Sequence, residues 1–174
     1  IQNLSAKSLF LPAGNTLIPL YEAWEKKAPS YLNGVELFQV DDVITGVKKW
    51  VFKDFFQEKL PSFQNQFNYI DSTPKSCELA ILGLGLNGHV AFHEPGIDKD
   101  FDFGKVTLTD QTCDHLEVPH KTQGLSYGVG TFLKCKKILL VVSGRSKKEI
   151  LEKLLAKKDN IPAAYLLDHK GLTI

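Results

Sequence analysis

The segment from residue 82 to residue 96 concentrates side chains that can do chemistry. It reads Leu-Gly-Leu-Gly-Leu-Asn-Gly-His-Val-Ala-Phe-His-Glu-Pro-Gly, so Asn87, His89 and Glu94 fall within eight residues. Histidine titrates near physiological pH, and a nearby carboxylate can orient its ring and raise its basicity. Asn87 can fix the tautomer of that ring or bind a ligand hydroxyl. An isolated histidine is more often structural, but these neighbours favour a catalytic role for His89.

Two acids, Asp41 and Asp42, stand together at the end of an apolar strand that covers residues 34 to 40. Adjacent carboxylates repel each other, so one of them can hold its proton more tightly and act as an acid or base near neutral pH. Taken alone, the pair is at least as well explained as two solvated acids in a loop.

Residues 12 to 16, Pro-Ala-Gly-Asn-Thr, have the composition of an anion-binding loop. Gly14 permits an unusual turn, while Asn15 and Thr16 offer side-chain donors beside the free amides of a following helix. On its own, this segment is better explained as a plain capped turn, with Thr16 as the helix cap.

Residues 143 to 149, Ser-Gly-Arg-Ser-Lys-Lys-Glu, contain a second candidate for binding an anion. Ser146 and Glu149 have the spacing of a capping box, which predicts a helix start. Lys147 would then lie in the first turn, where the helix dipole disfavours a cation. A bound phosphate would remove that mismatch, and a lysine extended into solvent is the simpler alternative.

Short apolar strands and amphipathic helices alternate along the chain and must position these segments. The alternation predicts an α/β fold in three layers, with a mainly parallel twisted sheet flanked by helices. All four polar segments follow strands, and open α/β sheets bind ligands beyond the carboxyl ends of their strands. We predict strands at 8–11, 35–40, 79–84 and 137–142, and helices with apolar faces over 17–24, 47–55 and 146–155.

Residues 67 to 70 also look like a strand, but they end only a few residues before the strand at Leu79. A parallel crossover needs a dozen or more residues. Either this run lies outside the sheet or chain is missing after it, and the second interpretation is preferred.

Composition and charge exclude several classes of protein. The 174 residues suffice for one well-buried domain, and the formal net charge of +1 gives no basic field for nucleic acid or a membrane surface. The longest apolar runs are too short to span a bilayer, and no export leader is visible. The cysteines, Cys77, Cys113 and Cys135, lack a metal-ligand spacing, so we expect reduced thiols in a cytoplasmic protein.

Five segments, in order, resemble the glucosamine-6-phosphate deaminase/isomerase family. The family loop G-x-G-x-D-G-H-x-A-F-N-E-P resembles residues 83 to 95, and its phosphate loop L-P-T-G-x-T resembles residues 11 to 16. Its F-x-x-D-E strand end resembles residues 38 to 42, its V-G-V-G-T turn residues 127 to 131, and its G-S-x-K segment residues 144 to 147. The resemblance implies a Rossmann-like fold of the NagB/RpiA type, and chemistry without metal or cofactor.

The resemblance also implies roles for the acids and the histidine. Asp41 would move a proton between C2 and C1 of an open-chain aminosugar 6-phosphate, and Asp42 would support its carboxylate. His89 would open the pyranose ring, and Glu94 would orient His89 or relay its proton. Asn87 would belong to the same catalytic group. Ammonia and a ketohexose 6-phosphate would be the products.

The same resemblance assigns the substrate phosphate to the two loops. The implied phosphate ligands are Ala13, Gly14, Asn15, Thr16 and Lys147, and the implied substrate-binding loop glycines are Gly85 and Gly88. The family pattern also has an arginine that is missing between residues 109 and 126, and Arg145 is the candidate to replace it.

Three departures from the family pattern are visible. Asn87 replaces an aspartate, as expected of the galactosamine-6-phosphate isomerase branch, and His93 replaces an asparagine. The family's opening strand and helix are absent, so we expect residues 1–174 to be a single domain without them and without some internal segments. The small-molecule partner would be a sugar phosphate, and a homo-oligomer is compatible with this interpretation.

Two other functions stay open at this point. The 6-phosphogluconolactonases share the fold with a loop G-x-D-G-H-x-A-S-L-F-P, but residues 92 to 95, Phe-His-Glu-Pro, favour the deaminase branch. A non-catalytic sugar-phosphate sensor is the second alternative, because Asn87 departs from the deaminase pattern.

Overall fold

The computed structural model describes residues 6–157 and 161–174, so residues 1–5 and 158–160 of the predicted domain lie outside the described residues. The strands are β1 (Ser8–Leu11), β2 (Glu36–Gln39), β3 (Asp41–Val43), β4 (Phe67–Asn68), β5 (Leu79–Gly83), β6 (Phe103–Thr107), β7 (Gln123–Tyr127), β8 (Lys137–Val141) and β9 (Leu172–Thr173). The α-helices are α1 (Ile18–Lys27), α2 (Val51–Lys59), α3 (Asp110–Leu116), α4 (Val129–Phe132) and α5 (Lys148–Leu155). Short 3-10 turns cover Asn15–Leu17, Ser30–Leu32, Pro61–Gln66, Arg145–Lys147 and Pro162–Leu166.

Six strands form one parallel sheet in the order β4-β2-β1-β5-β8-β9. Its central strands β1, β5 and β8 are neighbours, so the loops that follow them meet at one edge of the sheet. The predicted α/β class and mainly parallel sheet are confirmed, and this edge is where such folds bind ligands.

The sheet is buried on both faces, as a parallel sheet requires. Along β1, Phe10 packs into one hydrophobic cluster, whereas Leu9 and Leu11 pack into another, following the two-residue period of a strand. The first cluster contains Ile150 and Leu154 of α5, and the second contains the side chains of α1 and α2. Three layers result, with the strands in the middle.

The three cysteines lie inside these hydrophobic clusters. Cys77 and Cys135 belong to the cluster that contains Phe10, and Cys113 belongs to a third cluster, which lies beside α3. All three are buried free thiols.

A second, antiparallel sheet of the order β3-β7-β6 was not predicted. The chain enters it directly from β2: the amide of Val40 donates to the carbonyl of Leu11 in the parallel sheet, while the carbonyl of Val40 accepts from the amide of Tyr127 in the other. Asp41 therefore stands where the chain changes sheets.

The predicted start of the second helix was wrong. Val47 is 96% exposed, and α2 begins only at Val51, after Trp50 in a left-handed conformation with a φ of 65°. The amide of Trp50 donates to the carbonyl of Val43, which closes the preceding turn and delays the helix.

Two predicted helix caps, the side chains of Thr16 and Ser146, do not form in the part of the chain that the structure describes. A 3-10 turn precedes both α1 and α5, so neither Thr16 nor Ser146 caps an α-helix with its side chain. Glu149 instead pairs with Lys153, one turn further along α5.

The run at residues 67 to 70 enters the sheet as β4, so the less favoured alternative, that it lies outside the sheet, was wrong. β4 is only two residues long and pairs with β2 at the sheet edge, rather than with β5. Residues 69 to 78 lead back to the start of β5 without a helix.

Candidate active site

The loops after β1, β5 and β8 surround a cavity of about 380 Å³ together with Asp41 and α3. It takes in nine of the candidate residues: Ala13, Gly14, Asn15, Thr16, Asp41, Gly85, Asn87, His89 and Lys147. Asp42, Gly88, Glu94 and Arg145 are not part of its lining. The sequence therefore brings the proposed acid, histidine and anion-binding segments to one place.

One end of the cavity is built from two loops with the same local structure. Gly14 and Gly144 have positive φ angles of 110° and 94°, and each is followed by a 3-10 turn that leads into a helix. Helix starts present free amides and a positive dipole end, which suit an anion. Lys147 lines the same end, and its burial lowers the pKa of its ammonium group.

Arg145 does not take the place expected of a second phosphate ligand. Its residue is exposed and lies outside the cavity lining. Of the two basic residues in this turn, only Lys147 contributes to the cavity.

His89 lies over Gly85 and lines the cavity. A Cβ atom added to Gly85 would collide with the imidazole ring, so this glycine supplies space for the ring. Gly88 has another task, because its φ is +86° and a Cβ there would collide with Ile161. Both glycines shape the loop around His89, although only Gly85 reaches the cavity.

Glu94 is 2% exposed and holds the histidine from behind. Its Oε2 atom lies 3.6 Å from Nδ1 of His89 and accepts hydrogen bonds from Asn87 Nδ2 at 2.8 Å and Thr109 Oγ1 at 3.1 Å. Burial alone would raise the pKa of this carboxyl, but contacts with His89, Thr112 and Asn87 outweigh it and lower the pKa to about 2. Glu94 is therefore ionised beside the ring at neutral pH.

Asn87 organises the same cluster without a contact to the imidazole nitrogens. Its Oδ1 accepts a hydrogen bond from the backbone amide of His89, while its Nδ2 donates to Glu94. The amide side chain thus fixes both the loop and the carboxylate that faces the ring.

Asp41 is the cavity's buried acid, with 5% exposure. Burial, followed by repulsion from Asp42 and Glu94, raises the pKa of its carboxyl well above the usual value. A carboxyl in this environment binds a proton tightly, so its ionised form is a stronger base than a solvated aspartate.

Asp42 points to a different part of the molecule from the cavity. Its carboxylate accepts hydrogen bonds from the amides of Val43, Phe52 and Lys53 at 2.8, 3.0 and 2.9 Å, and from the side chain of Gln39 at 2.8 Å. Burial raises the pKa of Asp42, and the three amides oppose that rise. Successive side chains of a strand point to opposite faces, so Asp42 holds the start of α2 rather than the Asp41 carboxylate.

The sequence interpretation missed the wall that α3 provides. Gln111, Thr112 and His115 of this helix line the cavity. The signal was present, because Thr109 caps α3 by accepting from the amide of Thr112, and Asp110 follows in the first turn. No apolar stripe marks this short helix, so periodicity did not reveal it.

The second histidine of the loop, His93, is structural. It is fully buried, its Nδ1 accepts from the amide of Val129 at 3.0 Å, and its Nε2 faces the carbonyl of Ile97 at 3.3 Å. Burial lowers its pKa, so the ring is neutral with the proton on Nε2. It joins the loop after β5 to the start of α4.

Residues 53–174 match the family model described as glucosamine-6-phosphate isomerases/6-phosphogluconolactonase. The chain belongs to this family. The glucosamine-6-phosphate deaminase of Staphylococcus epidermidis strain ATCC 35984 is 31% identical over 131 residues, which cover 70% of this chain and 53% of that protein. The one from Malacoplasma penetrans is 31% identical over 168 residues, covering 90% of this chain and 68% of that protein. This family member thus spans about half the length of the first relative and two thirds of the second.

Solved structures of the family have the same fold. A monomeric glucosamine-6-phosphate deaminase superposes with a TM-score of 0.79 at 23% identity, covering 96% of this chain and 83% of the other. The 6-phosphogluconolactonase from Thermotoga maritima superposes with a TM-score of 0.73 at 19% identity, covering 99% of this chain and 85% of the other. The predicted NagB-type fold is confirmed. Within residues 6–157 and 161–174, the helices are too short or too polar to cross a membrane.

Proposed function

We propose that this chain converts an aminosugar 6-phosphate and water to a ketohexose 6-phosphate and ammonia. The observation that carries the proposal is that Asp41, His89 and two anion-suited helix starts with Lys147 line one cavity. Its relatives from S. epidermidis and M. penetrans are named glucosamine-6-phosphate deaminase. The proposal includes a phosphorylated sugar as the small-molecule partner and a cytoplasmic location for the enzyme.

The phosphate belongs at the end of the cavity that is lined by Gly14, Ser143, Ser146 and Lys147. Backbone amides of the two helix starts donate to its oxygens, and the Lys147 ammonium neutralises part of its charge. Fixing the phosphate there places the sugar ring toward Asp41 and His89, which converts an encounter into an oriented reaction.

His89 opens the ring and Asp41 moves the proton. With Nδ1 facing the ionised Glu94, the histidine's Nε2 is available to exchange a proton with the ring oxygen and the C1 hydroxyl. The ionised Asp41 then takes the proton from C2 and returns it at C1, which moves the double bond to C2. Water adds at C2 and ammonia leaves, so one water is consumed for each ammonia released.

The test is a parallel assay of ammonia and acid release by the 174-residue chain. We expect ammonia from glucosamine 6-phosphate or galactosamine 6-phosphate, and both epimers are needed because Asn87 resembles the galactosamine branch. Acid release from 6-phosphogluconolactone without ammonia from either epimer would replace this proposal with the lactonase.

The Asp41→Asn variant distinguishes an enzyme from a sensor. Loss of the base should lower kcat by about 10²–10⁴-fold, while binding of the sugar phosphate, measured by calorimetry, persists. Binding by the native chain with no turnover of any of the three substrates would instead identify a sensor.

A further inference from the structure

The hydroxyl of Thr109 connects the catalytic pair to α3. Its oxygen accepts from the amide of Thr112 at 3.3 Å and from Asn87 Nδ2 at 3.3 Å, and its hydrogen points to Glu94 Oε2 at 3.1 Å. The hydroxyl of Thr112 also lies 3.1 Å from this oxygen, so the single Thr109 proton has two acceptors within reach. The ionised carboxylate of Glu94 is a stronger acceptor than a neutral hydroxyl, so the proton is directed to Glu94.

The Glu94 carboxylate depends on the donors at one of its two oxygens. Oε2 faces Thr109, Asn87 and His89, whereas Oε1 is buried with no hydrogen-bond partner among the described residues. A buried ionised oxygen without a partner costs free energy, so each donor at Oε2 is needed to keep the group charged and oriented.

We propose that Thr109 is a positioning residue for the histidine. By holding Glu94 Oε2 at 3.6 Å from Nδ1 of His89, it favours the tautomer that carries the proton on Nδ1 and leaves Nε2 for the substrate. That proton also faces the hydroxyl of Thr112, which lies 3.5 Å from Nδ1. Thr109 itself does not line the cavity, so it acts through Glu94. The catalytic consequence rests on the proposed function, but the tautomer is a property of the protein alone.

The experiment compares Thr109→Val with Thr109→Ser in the full chain. Valine has the shape of threonine without its hydroxyl, and serine keeps the hydroxyl. Nitrogen NMR of the imidazole, with the His89 signal assigned by its loss in His89→Gln, reports the tautomer. We expect the Nδ1–H form in the native chain and in Thr109→Ser, and a shift toward the Nε2–H form in Thr109→Val. With an aminosugar phosphate, kcat of Thr109→Val should fall about 10–10²-fold with little change in KM.

Asp114→Gly is the control for the loss of the α3 cap, because it weakens the same helix on an exposed face and leaves the Thr109 hydroxyl in place. It should lower the Tm as Thr109→Val does, without the change of tautomer. An unchanged tautomer in Thr109→Val, or an equal change in Asp114→Gly, would overturn the proposal. Absence of ammonia release by the native chain would refute the proposed function alone, since the tautomer is measured without substrate.

Discussion

Asp41 combines deep burial with a charge that the surrounding protein disfavours. Desolvation, followed by the charges of Asp42 and Glu94, raises its pKa, so the folded state binds the Asp41 proton more tightly than the unfolded chain does. Between the unfolded and folded pKa values the native state holds more protons, and stability falls as the pH rises through that interval. Ionisation of Asp41 therefore destabilises the fold, which is typical of a residue retained for function.

Replacement of this carboxyl should stabilise the protein while it removes activity. We expect Asp41→Asn to have a higher Tm than the native chain at pH 7 to 8, and each kcal/mol gained corresponds to about 2–4 °C for a chain of this size. The difference should shrink as the pH falls below about 4, the ordinary pKa of an aspartate, because Asp41 is then protonated in both the folded and the unfolded state. Thermal unfolding across this pH range measures it.

Asp54→Asn is the matched control, because Asp54 is an exposed acid on α2. At every pH, the change in Tm caused by Asp54→Asn should be much smaller than the change caused by Asp41→Asn. A lower Tm for Asp41→Asn at pH 8 would contradict the assignment of Asp41 as a strained buried acid.

At the scale of elements, Asp42 acts as the cap that α2 lacks in its own sequence. Trp50 precedes the helix and offers no capping side chain, so the free amides of Phe52 and Lys53 are satisfied from β3 instead. Removing the carboxylate in Asp42→Ala leaves these amides and that of Val43 without their acceptor. We expect a loss of about 2–3 kcal/mol in the free energy of unfolding, measured by urea denaturation.

Asp54→Ala removes an acid from the first turn of the same helix without breaking a buried hydrogen bond, and it should cost far less. If Asp42→Ala were as stable as Asp54→Ala, the capping role of Asp42 would be wrong.

Local sequence patterns predicted the strands of the central sheet but not the starts of its helices. The apolar run at residues 79 to 84 is buried on both faces, and the run at residues 137 to 142 is buried on one face and partly buried on the other, which makes both visible in sequence. The starts of α1, α2 and α5 depend on 3-10 turns and on the distant Asp42, which no local pattern contains. The adjacent pair Asp41–Asp42 shows the same limit, because only the direction of β3 separates the cavity acid from the cap.

For the whole molecule, the polar segments that follow the strands were predicted to lie together and do line one cavity, because a parallel sheet brings the carboxyl ends of its strands to one edge. The small sheet escaped prediction since β3, β6 and β7 pair over long distances and carry no continuous apolar run. The cavity wall formed by α3 was not predicted for the same reason, because α3 connects β6 to β7. Long-range pairing therefore decided the part of the site that the sequence did not indicate.

Because the three cysteines are buried, the reactivity of their thiols can report how often the folded protein opens. Burial raises the thiol pKa of Cys77 and Cys113, and that of Cys135 to about 12, so neither thiolate nor access is available in the native state. We expect an aromatic disulfide reagent to label none of them quickly in buffer, and all three at once in denaturant. In mild denaturant the labelling rate should follow the fraction of open molecules, so a colour change would report stability directly. Rapid labelling of one cysteine in buffer would show that its hydrophobic cluster opens independently of the rest of the fold.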